Sequence, residues 1–155
     1  FLTLCFVVIM GFLGIARWVK GELRNSYAQV VEELLVDYSH LISAQLESYR
    51  LSQAGFNSIE KTFQIYKSHS FNAQIFDFKK MAPTLDVYVT DLAGIVIFAT
   101  DRSLIGQDFS KWNDVHKTLQ GHYGARSTRI IKEDNRTSIY YVAAPITLDG
   151  RIVGV

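Results

Sequence analysis

The chain has 155 residues, a length typical of about one domain. Hydrophobic residues make up 48% and charged residues 20%, which excludes a disordered or low-complexity chain. The 16 basic residues nearly balance the 15 acidic ones. This balance argues against a partner nucleic acid, because a nucleic-acid-binding protein needs a surplus of cations. Since the sequence begins at Phe1 and stops at Val155 within a predicted strand, we interpret it as part of a longer protein.

Residues 1–16 carry no charge and are almost entirely large and apolar. As a helix they would extend about 24 Å, a few residues short of the roughly 30 Å of a bilayer core. Arg17, Trp18 and Lys20 follow, and such residues are favoured at a membrane interface. We therefore expect a transmembrane helix over 1–18, truncated at its start and in contact with the lipid bilayer. A signal peptide and a buried helix of a soluble protein are the alternatives.

The next segment predicts a long amphipathic helix over 19–53, because apolar residues recur every three or four positions between Leu23 and Leu41. We expect this stripe to pack on the core of the domain. The spacing of the apolar residues by three and four also resembles a heptad repeat. An interface between two copies of the chain is therefore the second interpretation. Gly55 is expected to break the helix.

A second helix is predicted to follow, with Asn57 and Glu60 as its capping signal and an end near Ser68. Residues 69–84 are expected to be irregular. Three apolar side chains of this segment are expected to be anchored in the fold: Ile75, Phe76 and Phe78.

The sheet region is predicted over 85–155, where apolar residues alternate or run together between turn signals. The five expected strands are 85–90, 95–99, 126–131, 138–146 and 151–155. Ser110 is predicted to cap a short helix over 111–120 that Gly121 ends. The fold class is thus α+β, a five-stranded antiparallel sheet with the long helix on one face. The 100–124 segment is expected on the other face, with a small pocket beneath it.

Four segments carry a resemblance to a known family. They read VYVTD at 87–91, IGQDFSKWNDV at 105–115, GHYGARST at 121–128 and YVAAPI at 141–146. These segments closely resemble the periplasmic sensor of CreC-type two-component sensor histidine kinases, a PAS-like domain of the PDC or Cache type. The likeness covers roughly 85–155, and the upstream helices match only in character.

The resemblance implies that 19–155 is an extracytoplasmic sensor domain, truncated at its end, of a homodimeric protein in the bacterial inner membrane. It places the kinase core, with its ATP and magnesium, and the cognate response regulator outside this chain. The chain itself is expected to hold no catalytic residue and no cofactor. The same sensor on a chemoreceptor or a cyclic-dinucleotide enzyme is the nearest alternative. A pilin-like structural protein of the type IV class is a distant one, because Cys5 stands where those proteins carry an acidic residue.

Arg126, Ser127 and Thr128 follow a glycine-rich turn and are candidates for binding a small-molecule ligand. A guanidinium and two hydroxyls suit a carboxylate or a phosphate. Alternatively, Arg126 pairs with Asp108 or Asp114 and holds the 100–124 segment in place, since a buried arginine needs a partner. Both interpretations stay open on the sequence.

The remaining candidates are aromatic residues and histidines near the same region. Trp112 is expected to cover the sheet rather than to stack on a ligand, and the two tyrosines either place hydroxyls in the pocket or only pack. The histidines either are polar residues at helix ends or contact a ligand and titrate near neutrality. The candidate ligand-binding residues are therefore Tyr88, Trp112, His116, His122, Arg126, Ser127, Thr128 and Tyr141. The four histidines of the chain lack metal-ligand spacing, so no metal site is predicted.

Overall fold

The computed structural model describes residues 2–132 and 137–155. The helices are α1 (Leu2–Ser48), α2 (Gln53–Ser68) and α3 (Asn113–Leu119), with a short 3-10 helix at Arg102–Leu104. The strands are β1 (Ala73–Ile75), β2 (Phe78–Lys80), β3 (Tyr88–Thr90), β4 (Val96–Ala99), β5 (Gly124–Arg129), β6 (Ser138–Ala143), β7 (Ile146–Leu148) and β8 (Arg151–Gly154). The α+β class predicted from the sequence is correct, but two parts of its architecture are not.

The first correction concerns the N-terminal segment. Helix α1 runs for 47 residues without a break, through the predicted boundary at residue 18. In the described part of the chain, no helix has the length and apolar character that a membrane span requires. The transmembrane helix predicted over 1–18 is therefore wrong. The uncharged run ends at Arg17, after about 24 Å of helix, and α1 continues from there into charged sequence.

The second correction concerns the sheet. The described strands form four antiparallel pairs, β1–β2, β3–β4, β5–β6 and β7–β8, rather than one five-stranded sheet. Pro145 lies inside the predicted strand 138–146 and splits it into β6 and β7, because proline has no N–H for a strand ladder. The pairing register also shifts between Val89 and Thr90 and at Ile146. Reciprocal backbone hydrogen bonds between Thr90 and Val155 link the ends of β3 and β8.

The turn between α1 and α2 lies earlier than predicted. Helix α1 ends at Ser48 instead of residue 53, and Arg50 and Leu51 both adopt left-handed backbone conformations, with φ of 51° and 50°. Such conformations end a right-handed helix. Gly55 therefore does not break the long helix. It lies within α2, where a Cβ would come within 2.9 Å of Tyr49 Cβ, so glycine permits the close approach of the two segments.

The start of α2 and the segment after it also differ from the prediction. Helix α2 begins after Ser52, before the expected cap at Asn57. The segment 69–84, expected to be irregular, contains the β1–β2 hairpin. Ile75 and Phe76, expected to be anchored, are exposed, and Phe76 has a φ of 50°. The side chain of Phe78 lies outside the described residues.

Two hydrophobic clusters form the core. The larger one joins α1 and α2 to the sheet region through Leu46, Ile59, Phe63, Val89, Phe98 and Ile146. The smaller one lies beneath α3 and contains Val96, Ala99, Phe109 and Val115. Helix α1 contributes the face around Leu46 to this core, and the apolar stripe from Leu23 to Leu41 is exposed instead of packed.

Candidate functional site

The candidate site lies where α3 packs against β5. Helix α3 begins at Asn113, and the predicted cap Ser110 instead donates its backbone N–H to Asp108 Oδ1 at 2.9 Å. Hydrogen bonds from the side chain of Ser110 and then from its backbone lower the pKa of the exposed Asp108 carboxyl. Gly121, with a φ of 79°, follows the helix end as predicted. Gly124 then lies so close to α3 that a side chain there would overlap the backbone carbonyl of Asp114.

A buried ion pair occupies the centre of the site. Arg126 Nε donates a hydrogen bond of 2.9 Å to Asp114 Oδ1. The Asp114 side chain is fully buried, and that of Arg126 is 15% exposed. Asp108 takes no part in this pair. Of the two interpretations that the sequence left open, the pairing of Arg126 with Asp114 is therefore present in the structure, while ligand binding stays a prediction.

Two aromatic rings enclose the guanidinium of Arg126. Its Cζ lies 3.8 Å from the ring centroid of Trp112 and 3.7 Å from that of Tyr141. Both distances are well within the range of cation–π attraction. Trp112 in turn stacks on Phe109, with centroids 3.8 Å apart. Arg126 Nη2 is buried and has no hydrogen-bond partner within the described residues.

Tyr88 completes the polar cluster, because its hydroxyl donates a hydrogen bond to Asp114 Oδ2. Burial, and then the negative charge of Asp114, raise the pKa of Tyr88 well above its ordinary value. Burial acts to lower the pKa of Arg126, but its hydrogen bond and charge interaction with Asp114 outweigh that effect and leave it raised. The cluster therefore holds a neutral phenol and a charged guanidinium on one carboxylate. We call Tyr88, Asp114, Arg126 and the rings of Trp112 and Tyr141 the arginine cluster.

The other four candidate residues do not join the arginine cluster. His116 and His122 are exposed, and His116 lies within 3.3 Å of Gln120 in a side-chain contact along α3. Ser127 is exposed on β5, and Thr128 is half-buried opposite Ile139 of β6. The structure thus brings together four of the eight predicted site residues. Within the described residues, no group of three His, Cys, Asp or Glu side chains is placed to hold a metal ion.

Sequence reasoning missed the polar contacts between α1 and the sheet region. Ser43 Oγ donates a hydrogen bond of 2.6 Å to the carbonyl oxygen of Pro145. Glu47 Oε1 accepts one of 2.5 Å from the backbone N–H of Thr147. Ser43 and Glu47 are four residues apart and therefore share a helix face, which is the signal that would have grouped them.

Beneath the 100–124 segment, where a small pocket is predicted, Phe109 is buried and Trp112 packs against the same cluster. A groove of about 520 Å³ lies elsewhere, between α1 and the turn before β5. Its lining includes Glu32, Glu33 and Tyr123, and the Tyr123 hydroxyl donates a hydrogen bond of 3.0 Å to Glu32 Oε2. This contact is a third connection between α1 and the sheet region.

These features define an α+β region in which a long helix is held against antiparallel hairpins next to a buried charged cluster. No protein-family model matches the chain. Over 150 residues, 96% of its length, the chain is 34% identical to Sensor protein CreC of Escherichia coli strain K12. The alignment covers 31% of that protein, so the chain spans about a third of its relative. This similarity confirms the resemblance to CreC-type sensor proteins, while the PAS-like domain type stays a prediction.

Proposed function

We propose that this chain is the signal-sensing region of a two-component sensor histidine kinase of the bacterial inner membrane, and that it senses in the periplasm. The observation that carries this proposal is the 34% identity, along nearly the whole chain, to a protein named as a sensor. The kinase core, with its ATP and magnesium, belongs to a part of the protein outside residues 1–155. Its partner is a cognate response regulator.

The connections between α1 and the sheet region support a role in transmission. Helix α1 is hydrogen-bonded to the sheet region at three positions. Glu32 contacts Tyr123, Ser43 contacts Pro145, and Glu47 contacts Thr147. A shift of this region therefore displaces α1, and a ligand that favours one position changes the state of the helix. In the homodimer that we propose for the full protein, this change in α1 alters the activity of the kinase.

We place the sensed ligand at the arginine cluster. Arg126 Nη2 is buried without a partner, so the guanidinium has a donor to offer beyond its bond to Asp114. A small molecule with a carboxylate or a phosphate can use that donor and compete with Asp114 for the cation. Because Asp114 lies on α3 and Arg126 on β5, such competition separates these two elements. The candidate ligand residues are therefore Tyr88, Trp112, Arg126 and Tyr141.

The test of this function uses the full-length protein in membranes. We expect it to incorporate phosphate from radiolabelled ATP and to pass the phosphate to its purified response regulator. Absence of both reactions would overturn the kinase assignment. A methyl-accepting coiled coil or a cyclase sequence after residue 155 would assign the same sensor to a chemoreceptor or to a cyclic-dinucleotide enzyme.

The sensing role is tested with Arg126→Lys, which keeps the charge but loses the planar contact with both rings. We expect the phosphorylation level of this variant to differ from the wild type and to respond less to growth conditions. Arg129→Lys, at the exposed end of β5, is the matched control and should behave as the wild type. Equal behaviour of the two variants would remove the arginine cluster from the sensing mechanism.

A further inference from the structure

The β1–β2 hairpin presents large apolar side chains to the outside of the molecule. Phe76, in its turn, is 94% exposed, and Ile75 beside it is 50% exposed. Phe76 also has a left-handed φ of 50°, a conformation that bulky residues rarely adopt. An aromatic ring that is held out in water, at a conformational cost, indicates an interaction surface at this position.

The hairpin itself holds this turn in place. The side-chain amide of Gln74 donates a hydrogen bond to the carbonyl oxygen of Phe76. Where the hairpin leaves the fold, the backbone N–H of Phe71 donates a hydrogen bond of 3.0 Å to the carbonyl oxygen of Met81. The exposed ring is therefore carried by a hydrogen-bonded turn at the end of a closed hairpin.

Two lysines lie behind the apolar turn. Lys79 is exposed and pairs with Gln74 in the strand register, and Lys80 pairs with Ala73. Because successive residues of a strand point to opposite faces, the hairpin carries one cation on each face. At about 3.3 Å per residue, these two cation positions lie about 7–10 Å behind Phe76 along the hairpin.

We infer that the β1–β2 hairpin docks on a membrane surface that contains anionic lipids, with Phe76 and Ile75 between the lipid headgroups. Helices that lie in such an interface bury their apolar face about 5–10 Å deep, a depth that matches the spacing between the ring and the lysines. Lys79 and Lys80 then lie near the lipid phosphates, which attract them. Asp77 is the single acid of residues 73–81, so this segment keeps a net charge of +1 from its two lysines and one aspartate.

The inference rests on the proposed function, which assigns the protein to the inner membrane. Helix α2 begins beside the end of α1, where Gln45 bonds to Ser58 and Tyr49 lies against Gly55. Since Gln45 precedes Tyr49 while Ser58 follows Gly55, α2 runs back toward the N-terminal end of α1. The hairpin follows α2 and therefore lies toward the part of α1 that carries the uncharged run 1–16.

The experiment measures lipid contact in the full-length protein. Its native cysteines are replaced by serine, and Ile75→Cys is labelled with an environment-sensitive fluorophore, which leaves Phe76 intact. The protein is reconstituted into vesicles of phosphatidylethanolamine and phosphatidylglycerol, or of phosphatidylcholine alone. A spin label on the lipid headgroups quenches a fluorophore that touches them. Leu92→Cys, at an exposed apolar residue in the turn between β3 and β4, is the matched control.

We expect the label at position 75 to be quenched several-fold more in the anionic vesicles than in phosphatidylcholine, and several-fold more than the label at position 92. Phe76→Ser should reduce this quenching to the level of the control, and so should Lys79→Gln combined with Lys80→Gln. Because the Phe76 side chain is exposed, Phe76→Ser should leave the unfolding transition unchanged. A loss of quenching in this variant is then a loss of lipid contact.

Equal quenching at positions 75 and 92 would overturn the docking of the hairpin. Equal quenching in anionic and neutral vesicles would overturn the preference for anionic lipids. A label that is shielded in native membranes but not in purified vesicles would assign the turn to a partner protein instead. Failure of the protein to incorporate into any vesicle would overturn the membrane assignment itself, so this outcome is distinguishable from a failed docking.

Discussion

The hydroxyl of Ser43 donates a 2.6 Å hydrogen bond to the carbonyl oxygen of Pro145, at the corner between β6 and β7. One turn further along α1, Glu47 accepts from the backbone of Thr147. Pro145 interrupts the strand between β6 and β7, and the pairing register of β7 with β8 shifts between Ile146 and Thr147. Two side chains of one helix face thus satisfy the backbone of the broken strand, and the same contacts fix α1 in place.

Ser43→Ala should lower the free energy of unfolding by about 1 kcal/mol, because Ser43 is buried and its bond to Pro145 has no substitute. Ser39→Ala is the control, since Ser39 bonds only to the carbonyl of Val36 within its own helix. Guanidinium unfolding followed by circular dichroism measures both. Equal shifts for the two variants would show that the contact between α1 and Pro145 adds nothing to stability.

Asp114→Asn should destabilise the fold more than any surface change. It leaves the buried guanidinium of Arg126 without its counter-charge, and breaking a buried ion pair costs about 3–5 kcal/mol. Arg126→Met should have a similar effect, and the double variant should lose less stability than the two single losses added together. Arg50→Met, which removes the exposed partner of Asp149, serves as the control and should change little. Strict additivity of the double variant would indicate that the pair is not coupled.

The stability of the protein should fall at alkaline pH in a way that depends on Tyr88. Its pKa is raised above the ordinary value of about 10, so the unfolded chain loses this proton near pH 10 while the folded chain keeps it. The contribution of Tyr88 to stability is therefore fully present below about pH 10 and is lost as the pH rises above it.

We accordingly expect Tyr88→Phe to be less stable than the wild type at pH 7 but to lose stability less steeply between about pH 9 and 11. Urea unfolding at a series of pH values measures the slopes. Tyr49→Phe, at an exposed tyrosine in the α1–α2 turn, should keep the slope of the wild type. If the slopes of Tyr88→Phe and wild type coincide, Tyr88 keeps its ordinary pKa in the folded state.

Gly124→Ala should destabilise the contact between α3 and β5. The added methyl group would overlap the backbone carbonyl of Asp114 and the hydroxyl of Thr118, and such overpacking costs about 1–3 kcal/mol. Gly21→Ala is the matched control, because nothing lies within 4 Å of a Cβ at that position of α1. It should raise stability slightly, since alanine favours a helix more than glycine does. Thermal unfolding of both variants gives the comparison, and a neutral Gly124→Ala would show that α3 can move away freely.

Local signals in the sequence predicted several elements correctly in kind. The strands around Val89 and Val96 follow from alternating and continuous apolar runs, and the end of α3 follows from Gly121. The sheet was wrong because the period of two identifies strands but not their partners. Pro145 was the available sign that the run 138–146 divides, since proline leaves a gap in a ladder.

The candidate site was predicted only in part, because local sequence patterns again identify residues but not their distant partners. The pairing of Arg126 with Asp114 was one of two alternatives, because a buried arginine requires a counter-charge and few acids lie nearby in sequence. The bond from Tyr88 to Asp114 spans 26 residues, and nothing local in either segment indicates it. The β1–β2 hairpin was missed because its turn has no Asn-Gly or Asp-Gly and relies on Phe76 in a left-handed conformation.

The stacking of Arg126 on Trp112 gives the protein a built-in optical reporter. The chain has two tryptophans, and Trp18 is 69% exposed while Trp112 lies between a cation and the ring of Phe109. With Trp18→Phe, the tryptophan fluorescence of this region comes from Trp112 alone. Departure of the guanidinium, or entry of water beside the indole, then changes the emission intensity and wavelength. A titration can thus follow the state of the arginine cluster directly, without a label and without the kinase.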